Sequence, residues 1–458
     1  MLRCNRTSES TLLLNLKHPV TAALTRAQNG GHCQPLVYPS IPAVAKFEIE
    51  TFRFLQNFVR ENNIPCDWVS LTGVHAFLTE DTFSLATAAV EDLQKQHPEL
   101  AAEVELVKPS ISGSSGGGGS GGETLASLRV PTAKGAVIQK NAASLWPYKL
   151  VAWVLERLLE RHPSPGFNLQ TNTPVTRLQR QDAPSSDGTP DSRGWIVTTP
   201  RGRIIASTVL LCTNGYTSRL LPAFSDLIVP TRGQIAAVIP PKGPEGADRG
   251  TPAKLHHSYV FLGNYPEPIS TRDDYLIQRP LPTGELIFGG GRNFAKGLAV
   301  GEWRDDVIEE PVSKWLRGEL SPPLDLTPGD SPSGDSEEQG RGHEAAGDLL
   351  DATFEWTGIM GYSRDHHPWV GTVPQSLGGG GAGGGLWICS GFTGHGMPVA
   401  ALCARDVVQQ MVGDDVKAKD ITVLPGAFRL TEERLQRART NFYEVAKVHA
   451  GCLATMFP

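Results

Sequence analysis

The period of the apolar positions changes along this chain, and each change marks an element. Phe47, Phe54, Leu55, Phe58 and Val59 recur at helical spacing and predict a helix over 47–61. Leu150, Val151, Val154, Leu155, Leu158 and Leu159 share one face of a second helix over 148–161. Further helices are expected at 82–97 and 398–412. Short runs at 74–78, 167–170, 175–178, 195–199 and 203–206 read as strands. Val209 to Cys212 and Leu386 to Cys389 are continuous apolar runs, which suits strands buried on both faces of a parallel sheet. Runs at 228–240, 259–262, 275–279 and 286–289 come at regular spacing and suggest an antiparallel sheet inserted into the α/β body.

Four stretches interrupt this pattern. Residues 110–122 are nearly pure Ser and Gly, and 181–194 read as a long hairpin loop. Residues 322–347 are rich in Pro, Gly, Asp and Glu, and 378–385 form a second glycine run. None has a repeat period, which argues against a solenoid.

Composition narrows the classes. With 458 residues, 40% hydrophobic and 20% charged, the chain is an ordinary globular protein. A net charge of -6 lacks the basic excess of a nucleic-acid binder. No apolar run reaches the ~18 residues of a membrane span. Arg3, Arg6 and the short Leu12 to Leu14 patch are too polar for a secretory signal. Seven cysteines without a CxxC pair point to reduced thiols in a cytoplasmic protein, with Cys212, Cys389 and Cys403 as buried small hydrophobes.

Candidate chemistry concentrates in four places. Ser390 to Met397 turns an apolar strand into a helix with Gly391, Gly394 and Gly396, so backbone can approach a ligand beside free helix-terminal N–H groups. Asn29, Gly30, Gly31 and His32 suit a loop against a flat ligand. Thr213, Asn214 and Gly215 end a buried strand, where α/β sheets bind ligands. Residues 356–368 read as a turn closing over a ligand. Adjacent His366 and His367 have no third partner at useful spacing, so no metal is expected. No GxSxG, HExxH or P-loop motif occurs.

In this order the segments resemble the D-amino-acid-oxidase-like superfamily of FAD-dependent oxidoreductases, with its glycine, sarcosine and gamma-glutamylputrescine oxidase branches. The resemblance rests on Gln28 to His32, Ser144 to Leu150, Thr171 to Val175, Cys212 to Tyr216, Pro230 to Gln234, Gly358 to Pro368 and Ser390 to Met397, and spans 25–415. It implies an α/β (α+β) fold, a Rossmann-like FAD domain with an inserted antiparallel substrate sheet. It implies that Asn29, Gly30, Gly31 and His32 pack near the isoalloxazine, and that Val175 meets the adenosine end. Thr213, Asn214 and Gly215 would lie by the pyrophosphate. Gly391, Phe392, Thr393, Gly394, His395, Gly396 and Met397 would follow the ribityl chain and pyrimidine edge.

The implied reaction moves a hydride from the carbon beside an amine to the flavin, with dioxygen or another acceptor reoxidising it. Orientation carries much of that chemistry, so no catalytic acid or base is assigned. Two departures qualify the resemblance. No GxGxxG occurs, and Asn15 stands after Leu12 to Leu14 where an acid would close the second strand. The expectation is therefore a domain lacking its first βαβ, with weakened FAD affinity. No cysteine matches the covalent attachment site, since Met360 and Gly361 precede Tyr362, so FAD would be non-covalent.

The expected organisation is 1–75 partial FAD domain, 76–145 cap segment, 146–225 FAD domain and 226–320 substrate sheet. A linker at 321–350, a C-terminal FAD segment at 351–415 and a tail at 416–458 follow. A small-molecule amine is the expected substrate, with no nucleic acid and no membrane as partners. The alternative function is a non-catalytic remnant serving as a binding or scaffold protein.

Overall fold

The computed structural model describes residues 11–14, 29–109, 122–181, 194–241, 252–266, 271–321, 323–327, 349–380, 384–413 and 423–440. Residues 110–121 of the Ser/Gly stretch, most of the 181–194 loop, residues 322 and 328–347 of the Pro/Gly-rich stretch, and Asn15 fall outside these residues. The first part runs β1 (Thr11–Leu14), β2 (His32–Cys33), α1 (Pro42–Glu61), β3 (Val69–Phe77), α2 (Glu80–Gln96), α3 (Pro98–Ala101), β4 (Val104–Val107) and β5 (Gly135–Ser144). The middle continues with α4 (Pro147–Arg161), β6 (Phe167–Gln170), β7 (Arg177–Gln181), β8 (Gly194–Thr199), β9 (Gly202–Ala206), β10 (Val209–Leu211), α5 (Thr217–Leu220) and β11 (Ile228–Val238). Then come β12 (His257–Asn264), β13 (Thr271–Gln278), β14 (Leu286–Gly289), α6 (Glu310–Gly318), β15 (Ala352–Ser363), β16 (Trp369–Thr372), β17 (Leu386–Ser390), α7 (Ala400–Val412) and α8 (Glu432–Thr440).

The α/β fold is built around a sheet ordered β15-β11-β14-β13-β12-β3-β5-β2, with β4 also on β5. Strand alternation divides its faces. Ala236, Val238, Leu276, Leu286 and Phe288 pack with Val312, Trp315 and Leu316 of α6, while Ile235, Ala237, Ile277 and Ile287 form a separate cluster. The sheet is antiparallel except at β12–β3, where Tyr259 to Leu262 run parallel to Val74 to Phe77. That pair joins the strands before residue 145 to those after 228, so the sheet is mixed rather than an antiparallel insert. Smaller sheets carry the rest: β1–β6 parallel, β10–β17 parallel with β16 antiparallel, and the meander β7–β8–β9.

Three local expectations need correction. Residues 356–368 are not a turn: β15 pairs with β11 from Ala352 to Ser363, and only the residues after Ser363 turn. Gly361 serves close approach there, because a Cβ would stand 2.7 Å from Asn214 Oδ1 and from the Gly215 nitrogen. The strand expected at 175–178 begins at Arg177, leaving Val175 in the preceding loop with its side chain in the core. Cys212 is exposed, since β10 stops at Leu211 and the chain leaves the sheet, whereas Cys389 and Cys403 are buried.

The sequence pattern gives no hint of what fastens residues 424–440. Arg434 of α8 is buried. Its Nε donates to Asp365 Oδ2 at 2.7 Å and Nη2 donates to Oδ1 at 2.8 Å. Further N–H groups donate to the carbonyls of Pro368 at 2.9 Å and His367 at 2.8 Å, and the guanidinium lies 3.6 Å from the Trp369 ring centroid. Burial opposes the charge on Asp365, but the hydrogen bonds and charge of Arg434 overcome it and hold the carboxyl below its usual range. Replacing Asp365 by Ala strands a buried guanidinium and should cost about 3–5 kcal/mol in urea unfolding. Because the folded carboxyl titrates low, the pair's stabilisation is present above the ordinary Asp value of about 4 and is lost as pH falls below it. D365A should therefore narrow its gap from the parent chain in acid.

Candidate functional site

The loop before β2 is shaped by two glycines. Asn29 Oδ1 accepts from the Gly31 amide at 2.8 Å, a local turn in which Gly31 takes φ +81°. A Cβ on Gly31 would lie 2.0 Å from the Leu145 carbonyl oxygen, and one on Gly30 would lie 2.4 Å from the Tyr275 hydroxyl. Only glycine permits this approach. His32 then stacks on Tyr275, with ring centroids 5.8 Å apart, and its Nε2 is 3.0 Å from Ser258 Oγ.

The second segment follows β17. Gly391, Thr393 and Gly394 take positive φ of 83°, 51° and 74°. Asn214 Oδ1 accepts from the amides of Gly391 at 3.0 Å and Phe392 at 3.2 Å, so this side chain ties the end of β10 to the turn. The Thr393 amide donates to the Gly361 carbonyl at 2.8 Å, and the Ser363 amide to Thr393 Oγ1 at 3.0 Å. The turn's own hydrogen bonds leave the amides of Gly394, Gly396 and Met397 unused, and α7 begins three residues on. A Cβ on Gly394 would be 3.3 Å from both Met360 Sδ and the Tyr362 hydroxyl.

The fold brings these two segments together. Asn29 Nδ2 donates to Met397 Sδ at 3.2 Å. Glu48 Oε2 accepts from the Leu36 amide at 2.7 Å and from His395 Nε2 at 2.9 Å. Thr213 and Asn214 adjoin through β10, with Thr213 Oγ1 at 2.8 Å from Thr217 Oγ1. Gly215 touches β15, where a Cβ would stand 2.6 Å from the Met360 carbonyl. Val175 lies apart, its side chain packed with Trp195, Val197 and Leu211.

Several residues of this region have no part in the sequence motifs. Tyr275 and Ser258 are such residues, placed by sheet pairing between distant strands. Arg292 follows Gly289, Gly290 and Gly291, where Asp274 Oδ1 accepts from the Gly291 amide at 2.8 Å. Its guanidinium donates to Asp273 at 3.1 Å and lies 5.2 Å from the Tyr362 ring centroid. The triple glycine before an arginine is the signal that could have found it.

Beneath the loop lies a buried polar network. Gln139 Oε1 accepts from the Val37 amide at 2.8 Å, so its Nε2 must donate to His75 Nε2, at 3.1 Å. Gln34 Nε2 donates to the same nitrogen at 2.7 Å, and the His75 proton sits on Nδ1, 2.8 Å from the Tyr38 hydroxyl. Burial pulls His75 down to about 3, helped by the charges of His32 and His395, and pulls His32 down to about 4. Both rings are neutral at neutral pH. Among the described residues no cluster of His, Cys, Asp or Glu could hold a metal ion, and no helix is long and apolar enough to cross a membrane.

A profile of the FAD dependent oxidoreductase family, DAO, matches residues 17–410. The chain belongs to this family. No curated protein matches the sequence significantly. Among solved structures, iminodiacetate oxidase from Chelativorans sp. BNC1 aligns with a TM-score of 0.57 at 14% identity, covering 92% of each chain. Glycine oxidase from Geobacillus kaustophilus gives 0.54 at 14% identity, over 86% of this chain and 83% of that one. NikD, an amino acid oxidase of nikkomycin biosynthesis, gives 0.54 at 16% identity over 85% and 86%. At these identities the likeness establishes the fold.

The neutral His75 gives a pH signature. An unfolded histidine titrates near 6.5, so the stabilisation from burying it neutral is full above that value and declines as pH falls toward about 3. Between about pH 4 and 5.5 the unfolded chain holds about one more proton at this residue. His75→Asn should therefore flatten the dependence of unfolding free energy on pH there by about 1.4 kcal/mol per pH unit. Urea titrations across that range measure it, and ring NMR of the parent chain should find His75 untitrated down to about pH 5.

Proposed function

We propose that this chain holds FAD non-covalently, its ring end between Asn29–His32 and Gly391–Met397, and oxidises the C–N bond of an amine or amino acid. One observation carries the reading: the loop expected near the isoalloxazine and the turn expected along the ribityl chain and pyrimidine edge, more than 350 residues apart in sequence, meet through Asn29–Met397 and through Glu48. The residues present fit such a ligand. The unused amides of Gly394, Gly396 and Met397 suit an electron-rich ring edge, and the glycines let backbone come close to a flat surface. Bound FAD would supply the acceptor for a hydride from the carbon beside the nitrogen.

The chain's own residues have the remaining tasks. The amides of the turn donate toward negative charge near the pyrimidine edge. Tyr275 and neutral His32 form an uncharged wall that limits water. Arg292, over Tyr362, is the cation we assign to the carboxylate of an amino-acid substrate. Dioxygen or another acceptor takes the electrons away. The non-covalent reading rests on the sequence, where Met360 and Gly361 precede Tyr362, and the 15–28 segment lies outside the described residues.

The test uses the full chain. FAD titrated into the purified protein should lose fluorescence and raise the melting temperature. Anaerobic mixing with a panel of amines and amino acids should then bleach the bound flavin's visible band. A folded chain that takes up no FAD at tens of micromolar ligand sinks the proposal and favours the non-catalytic binding reading. Arg292→Met should raise KM for amino acids about tenfold or more, as expected for loss of a charge-assisted hydrogen bond, and leave simple amines unaffected.

A further inference from the structure

On helix α1 the apolar stripe Val44, Phe52, Leu55 and Val59 is interrupted by Glu48, which is as buried as its neighbours, with a side chain 4% exposed. A buried carboxylate is costly unless its oxygens are satisfied, and a Leu or Met would pack on this stripe without that cost. The charge therefore needs a reason outside helix packing. Its contacts supply one. A single oxygen, Oε2, receives the Leu36 amide at 2.7 Å and His395 Nε2 at 2.9 Å. Leu36 continues the loop that carries Asn29 to His32, and His395 sits in the glycine turn, 347 residues after Glu48.

We propose that Glu48 is a positioning residue that couples the two loops of the ring site and fixes the His395 imidazole through Nε2. This rests on the function proposed above. With Nε2–H given to the carboxylate, Nδ1 is the nitrogen His395 has left for a ligand, on a ring whose side chain is 32% exposed. The backbone alone does not hold that orientation, because the turn's own hydrogen bonds run through Asn214, Gly361 and Phe392 and none engages the imidazole. Apolar contacts of α1 with Phe392, Val399 and Leu402, and with Cys33 and Leu145, hold the helix itself. Removing the charge should thus spare the fold.

Two measurements test this. In the chain without added cofactor, hydrogen exchange followed by mass spectrometry should show Glu48→Gln raising exchange about tenfold or more at both 29–36 and 391–397, as expected for loss of a hydrogen bond to a charged group. The rest of α1 and strands β12 to β14 should stay protected. Exchange unchanged at 391–397, or raised evenly along α1, overturns the proposal. The second measurement is a double-mutant cycle on FAD binding. E48Q and H395A should each weaken binding about 10- to 100-fold, and the double variant should lose clearly less than the product of the two, because part of what E48Q removes is its hold on His395. Losses that multiply would mean Glu48 acts elsewhere and would overturn it. Failure of the parent chain to bind FAD sinks the proposed function instead, and the exchange result then decides the role of Glu48 by itself.

Discussion

Helix α1 buries Phe52, Leu55 and Val59 with Cys33, Ala143 and Leu145, and buries Val44 and Phe47 with Phe392, Val399 and Leu402. The first set belongs to the chain's beginning and the second to its end. Closing a loop of several hundred residues costs only about 5 kcal/mol, because the entropy grows with the logarithm of length. Each large apolar side chain contributes about 1.5–3 kcal/mol when buried. The side chains buried across the closure, Val44 and Phe47 of α1 with Phe392, Val399 and Leu402, together outweigh that cost, so this packing can hold the two segments together without any ligand. The polar contacts from Asn29 and Glu48 then select one arrangement of the loops, which apolar packing leaves open.

Close backbone approach is the second constraint on the site. Gly31 against the Leu145 carbonyl, Gly215 against the Met360 carbonyl and Gly361 against Asn214 are contacts of protein with protein. They fix the loops through neighbouring strands before anything binds. A site assembled this way loses less ordering entropy on binding than one whose loops must close around a ligand.

How much of this was legible in the sequence depended on how local its cause was. The α1 stripe, the two apolar strands at 209 and 386 and the glycine turn after Ser390 arise from neighbouring residues, and periodicity exposes them. Even Glu48 was visible as a charge on an apolar stripe, although only its partners give it a role. The parallel pairing of β12 with β3 was not legible, since a strand's partner is chosen by tertiary packing. Strand β15 was misread as a turn because Gly358 and Gly361 look like turn residues, while Gly361 serves to let Asn214 and Gly215 approach. The Arg434–Asp365 lock was equally hidden, since its partners are 69 residues apart.

The histidines show how burial sorts the electrostatics of the region. His75 and His32 are driven neutral by desolvation, so neither adds a positive charge under the loop. Their hydrogen bonds satisfy Gln34 Nε2, Gln139 and Tyr38 without introducing charge. Charged groups near the loops are instead held by partners, Arg272 with buried Asp274, Arg292 with Asp273, and the buried Glu48 carboxylate on His395 Nε2. In a surrounding of low polarity those pairs and the unused amides of the glycine turn act more strongly on a ligand than they would in water. On the proposed function, the unused amides of Gly394, Gly396 and Met397 are the side of the site that would take the electron-rich edge of a bound ring.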